Sequence, residues 1–168
     1  MNSNKNQPKL DIEKSSYTRI LEYAAWIILA FITGYLILNY SNIQDRIPIH
    51  FNLRGEADGF GGKSTLWFLI ILLFGLHLMM TTISRYPHTF NYIVKITKDN
   101  AIKQYNTAIN MMLELNLCIV LFLSYGIYSV IKSSLSESSH INIGSSLIFI
   151  IPFAIIIIRS IVLSKHHK

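Results

Sequence analysis

One cysteine, Cys118, serves all 168 residues, so no internal disulfide can brace the chain. Charge is scarce as well: Asp, Glu, Lys and Arg together make up 14%. Hydrolytic signatures are missing, with no HExxH, no GxSxG and no Ser/His/Asp ordering outside the apolar blocks. His50, Glu56 and Asp58 could supply three metal ligands, but their spacing fits no metal-site pattern, and no metal or other cofactor is expected. The chain therefore reads as a non-enzyme. The most telling absence is a polar stripe. A surface helix of a soluble protein carries one, and residues 66–80, LWFLIILLFGLHLMM, show almost none.

What is present is apolar sequence, 51% of the chain, gathered into four blocks: Ile20 to Tyr40, Leu66 to Ile83, Met111 to Ile131, and Ile143 to Leu163. Each approaches the ~20 residues that span a hydrocarbon layer of roughly 30 Å. The first block exceeds the apolar core of a secretory signal, about 7–15 residues, and NYSNIQDRIP after it offers no small-residue cleavage site. It reads as an uncleaved first helix. The expected fold is an all-α membrane protein of four transmembrane helices.

A net charge of +6 would suggest nucleic acid as the partner of a soluble chain. Here the cations sort by side instead, and the lipid bilayer is the expected partner. The N-terminal tail holds Lys5, Lys9, Lys14 and Arg19; the second connection holds Arg85, Lys95, Lys98 and Lys103; the C-terminal end holds Arg159, Lys165 and Lys168. In the first connection Arg46, Arg54 and Lys63 are matched by Asp45, Glu56 and Asp58, and the third loop region has Lys132. The positive-inside rule then places both termini inside and the first loop outside. Cys118 falls mid-span, as packing.

Residues 1–16 are polar and read as a disordered cytoplasmic tail, leaving 17–168 as a single four-helix membrane domain. No repeat interrupts it, and the Ser-rich connection from Ser133 to Asn142 carries no evident chemistry. Pro87 ends the second helix, after which FNYIVKI is expected to run extended along the membrane surface. Thr97, followed by Lys98, Asp99 and Asn100, resembles a helix start with Thr as cap. Ile102, Tyr105, Ile109 and Met112 then recur at helical spacing, so the third helix should begin with a turn or two before the bilayer.

The first loop is the most informative stretch: Ile47 to Lys63, IPIHFNLRGEADGFGGK. Ala57 to Ser64 loosely fits a phosphate-loop pattern, but that device needs a buried strand before it and a soluble helix after it. A membrane helix follows here, and Asp58 would repel phosphates. The glycines Gly55, Gly59, Gly61 and Gly62 read as backbone devices that admit positive φ and tight turns, and Pro48 stiffens the approach. His50, Asn52 and Asp58 either converge on an external ligand or hydrogen-bond the loop to itself.

Within the apolar blocks four ionisable residues stand out: Glu22, His77, Glu114 and Arg159. By the expected topology all fall in the cytoplasmic half, Glu22 and Glu114 shallow, Arg159 and His77 roughly 7 to 10 Å deep. Unpaired charge there costs several kcal/mol, so they should face inward and pair. Arg159 is expected to bridge to Glu22 or Glu114, with His77 as hydrogen-bond partner. The cluster serves either as structural glue or as part of an ion path.

The residues Ile47, Pro48, Ile49, His50, Phe51 and Asn52, then Gly55, Asp58, Gly59 and Lys63, resemble the membrane family of domain of unknown function 1648. Its loop takes the form IPxHFNxxGxxDxxGxK between two membrane helices. Phe90-Asn91-Tyr92, Ile96-Thr97, Asn100 and Gln104-Tyr105 are similar to the stretch that follows in several members, so the resemblance covers about residues 20–110. It implies that Pro48, His50, Phe51, Asn52, Gly55, Asp58, Gly59 and Lys63 shape the loop or bind its ligand. The family is related to the N-terminal part of SdpI-type immunity proteins of the sporulation-delaying toxin system. The resemblance thus implies a non-enzymatic, multi-pass protein of the bacterial inner membrane, in immunity to or sensing of an extracellular peptide. The alternative is a small transporter or channel-like component using the His/Glu/Arg cluster.

Overall fold

The computed structural model describes residues 7–52, 54–136 and 148–167. Helix α1 spans Ser16–Asn39, α2 Thr65–Ile83, α3 Ala101–Leu135 and α4 Ile150–His166. A hairpin of β1 (Arg46–Phe51) and β2 (Ala57–Gly62) joins α1 to α2. The expectation of an all-α chain is corrected here: the loop between the first two helices is an antiparallel two-stranded sheet.

Helix α1 starts earlier than its apolar block because Ser15 caps it, accepting a hydrogen bond from the Thr18 N–H at 3.1 Å. That satisfies a donor which the first turn cannot pair internally. Its buried face, Leu21, Ala25, Leu29, Ile32 and Leu36, recurs at helical spacing. Leu66, Ile70, Leu73 and His77 form the matching stripe on α2. Apart from Leu21 and His77, these residues make the core with Val120, Ile127 and Ile131 of α3. Helix α4 packs against α3 beside this three-helix bundle. The residues turned away from the core, such as Ile27, Phe31, Phe68, Ile71 and Ile158, are large and apolar, as a lipid-facing surface requires.

Among the described residues, three helices are long and apolar enough to cross a membrane: α1 with its terminal 3₁₀ turn, α2 and α3. Part of the fourth apolar block lies outside the described residues, and α4 supplies 17 residues of it. Helix α3 has 35 residues, about 52 Å at 1.5 Å per residue, well over the roughly 30 Å of a hydrocarbon core. It overhangs, and both overhangs carry structure.

At one end Ile127 and Ile131 of α3 bury Ile43 and Ile47, which seats the hairpin. At the far end the segments 7–15 and 84–100 fold against the helices. Residues 7–15, expected within a disordered tail, have no regular structure but are tied down: Gln7 Nε2 donates to the Phe90 carbonyl at 3.1 Å, and Tyr105 Oη to the Pro8 carbonyl at 2.9 Å. Residues 1–6 of the tail lie outside the described residues. FNYIVKI has no regular secondary structure. Tyr92 Oη donates back to the Pro87 carbonyl at 2.9 Å, and its ring packs on Tyr105; burial raises the Tyr92 phenol above its ordinary range.

Asn100 immediately precedes α3 and makes no side-chain cap bond; as expected, Thr97 caps the start of the turn, its Oγ1 accepting from the Asn100 N–H at 3.3 Å. The two act together: the Thr97 N–H donates to Asn100 Oδ1 at 2.9 Å, and Asn100 Nδ2 donates to the Lys95 carbonyl at 3.0 Å. Gln104 then ties α4 down. Its Nε2 donates to the Ser164 and His167 carbonyls at 2.7 and 3.0 Å, and its Oε1 accepts from Ser164 Oγ at 2.7 Å. Carbonyls at a helix C-terminus lack intrahelical partners, and here a neighbouring helix supplies one.

Candidate functional site

The hairpin gathers all the loop residues singled out in the sequence. Asn52 organises the turn. Its Oδ1 accepts from the backbone N–H of Arg54 at 2.8 Å and Glu56 at 3.1 Å, and its Nδ2 donates to Glu56 Oε2 at 2.8 Å. These bonds consume the amide, so Asn52 shapes the loop. Gly55 follows with φ 84°, a conformation only glycine adopts without cost.

The other glycines serve a different purpose from the one expected. Among the described glycines only Gly55 has positive φ. A Cβ on Gly59 would lie 2.9 Å from the His50 Cβ, and one on Gly61 would lie 2.8 Å from Ile49 Cδ1. The glycines of β2 thus let the β1 side chains lie across the sheet. A register shift between Pro48 and His50 sets Ile49 and His50 over this bare strand, where a β-bulge re-aims side chains.

Lys63 closes the base. Its Nζ lies 3.0 Å from Asp45 Oδ1, donates to the Ile43 carbonyl at 3.3 Å, and sits 5.2 Å from the Tyr40 ring centroid. The Lys63 N–H donates to the Asp45 carbonyl at 3.0 Å. Pro48 is buried and Phe51 half-buried. Several side chains remain outward: Ile49 and Phe60, 47% and 46% exposed, the Arg46 guanidinium 5.6 Å from the Phe60 ring centroid, and the exposed pair His50 Nδ1 and Asp58 Oδ1. The hairpin thus offers apolar contact, a cation over an aromatic face and a hydrogen-bonding pair.

Residues 27–74 match the family described as Domain of unknown function (DUF1648). This DUF1648 segment takes in the second half of α1, the whole hairpin and the first half of α2. It is narrower than the expected span of 20–110, so the similarity seen around Phe90 to Tyr105 falls outside it. A relative named "Uncharacterized protein" from Archaeoglobus fulgidus is 29% identical over 139 residues, covering 74% of this chain and 76% of its own. No solved structure matches the chain.

The polar residues of the apolar blocks lie outside the DUF1648 segment, and the structure separates them. Glu114 Oε2 pairs with Arg159 Nη2, and Glu114 Oε1 accepts from Tyr17 Oη at 2.7 Å. Glu22 pairs instead with Lys14, whose Nζ donates to Glu22 Oε2 at 2.6 Å. Arg159 therefore takes one of the two carboxylates expected of it, and a tail lysine takes the other. His77 joins neither pair. It is fully buried, packs edge-on against Trp26 at 4.6 Å between centroids, and its Nδ1 meets Asn116 Nδ2 at 2.9 Å. The amide can only donate there, which assigns the imidazole proton to Nε2. His77 Nε2 and Asn116 Oδ1 have no partner among the described residues. Tyr17, Lys14 and Asn116 were missed in the sequence. Asn116 left a trace, as a lone amide inside an apolar run, whereas Tyr17 precedes the first block and gave none, and Lys14 showed only as one of the tail cations.

Proposed function

We propose that this chain is a non-enzymatic, multi-pass protein of the cytoplasmic (inner) membrane whose external hairpin recognises an extracellular peptide, in immunity to it or in sensing it. The reading includes four membrane helices with both termini inside, α4 and the residues before it forming the fourth. One observation carries it: the hairpin spends its backbone-shaping groups on itself and leaves Arg46, Ile49, His50, Asp58 and Phe60 outward. A mere tether between helices has no need for such order. The coincidence of the hairpin with the DUF1648 segment supports the same residues, since the intramembrane pairs lie outside it.

The test is survival of cells expressing the protein when challenged with membrane-active peptides from neighbouring bacteria. Phe60→Ser and His50→Ala should each abolish protection while the protein still reaches the membrane, and Glu114→Gln should matter little. The second reading, a small transporter or channel component, is favoured by the buried, partly unpartnered His77 and Asn116. It expects the reverse ranking. Full protection by both hairpin variants, with loss on His77→Ala or Glu114→Gln, would remove the binding hypothesis and leave transport.

A further inference from the structure

Helices α1 and α4 both pack on α3 and flank one face of it, where Tyr17 of α1 and Arg159 of α4 share Glu114. At the end away from the hairpin they border a cavity of about 220 Å³, lined also by Thr107, Asn110, Ser160 and Leu163. The hydrogen-bond accounting there is lopsided. Both oxygens of Glu114 are occupied, by Tyr17 and Arg159. Arg159 keeps further N–H donors on a side chain 47% exposed. Ser160 is only 5% exposed, yet its Oγ has no partner among the described residues, although buried polar atoms are normally bonded. The site holds donors to spare.

The flanking helices change character toward the hairpin end. Ile20, Ile27 and Phe31 follow Tyr17 along α1 at helical spacing, and Ile155 and Ile151 follow Arg159 along α4. All five are turned away from the bundle. A surface polar at the membrane face and apolar toward the bilayer centre has the polarity of one lipid molecule. Glu114 sets the charge of the ligand: it offsets Arg159, so a singly charged acceptor suits the site, whereas a dianion would face the carboxylate.

We propose that this surface is a specific phospholipid site, the phosphodiester held by Arg159, Ser160 and Asn110 and the acyl chains laid along α1 and α4. Arg159 supplies the forked donor set that matches phosphate oxygens. The inference is independent of the hairpin's role and of which side of the membrane the site faces.

Native mass spectrometry of the full chain in detergent tests it with three probes: dioleoylphosphatidylglycerol, dioleoylglycerol with the same tails and no phosphate, and glycerophosphoglycerol with the same headgroup and no tails. One equivalent of the phospholipid should be retained, and neither of the others. Ser160→Ala should weaken retention about tenfold, as expected for a lost hydrogen bond to a charged group, without lowering the melting temperature in lipid-free detergent. Arg159→Lys, which keeps the charge beside Glu114 but loses the fork, should weaken it as well. Equal retention of dioleoylglycerol would reduce the site to an apolar seam. Retention of the tail-less headgroup would make it a soluble phosphodiester site, and unchanged retention in Ser160→Ala would mean adventitious lipid only. Each of these three results overturns the proposal.

Discussion

Single residues in the hairpin are held for distinct reasons, and substitution separates them. Gly55 is required by its backbone, because a side chain at φ 84° costs about 1–2 kcal/mol. Gly59 is required by its neighbour, because a new Cβ would meet the His50 Cβ at 2.9 Å and neither atom can swing aside. Gly61 faces the tip of Ile49, which can rotate. Gly59→Ala should therefore destabilise the hairpin by about 1–3 kcal/mol, the scale of overpacking, and more than Gly61→Ala. Hydrogen exchange of the β1 amides checks this; equal protection in the two variants would show that the close approach to His50 is not constraining.

Among the elements, α3 does most of the positioning. One overhang seats the hairpin through Ile43 and Ile47, and a fully buried isoleucine contributes about 1.5–3 kcal/mol. The other anchors α4 through Gln104 and through Glu114, and Lys132 stands in its last turn, where a cation suits the helix dipole. Arg159→Leu leaves the buried Glu114 carboxylate without its cation and should cost about 3 kcal/mol. Adding Glu114→Gln should recover part of the loss, whereas adding Glu22→Gln should not, because Glu22 belongs to Lys14. Thermal melting of the single and double variants measures the coupling; recovery by Glu22→Gln would show that the helices pair differently.

For the whole molecule, the hairpin and the 84–100 segment lie at opposite ends of the bundle, so one labelling experiment sets the orientation. In a Cys118→Ala background, a cysteine at Ser41 should react with an impermeant thiol reagent on intact spheroplasts. Cysteines at Thr89 or Lys98 should react only once the membrane is opened. All three positions are exposed, so poor access would not explain a negative result. The reverse pattern would turn the hairpin inward and remove the external ligand from consideration.

Membrane character, the approximate limits of the first two helices and a structured loop between them were legible in the chain alone. Apolar run length and the density of Gly, Pro, Asn and His in one short loop are local properties that need no partner. Three things were decided only by tertiary structure. The loop became a sheet because bare Gly59 and Gly61 admit the side chains of β1, a fit between residues about ten positions apart that no periodicity announces. Arg159 pairs with Glu114, and Glu22 is taken by Lys14, which folds back onto α1 from a segment without regular structure. His77 found an amide instead of a charge because α2 and α3 set it level with Asn116, and registry between helices follows from packing, which a linear pattern does not contain.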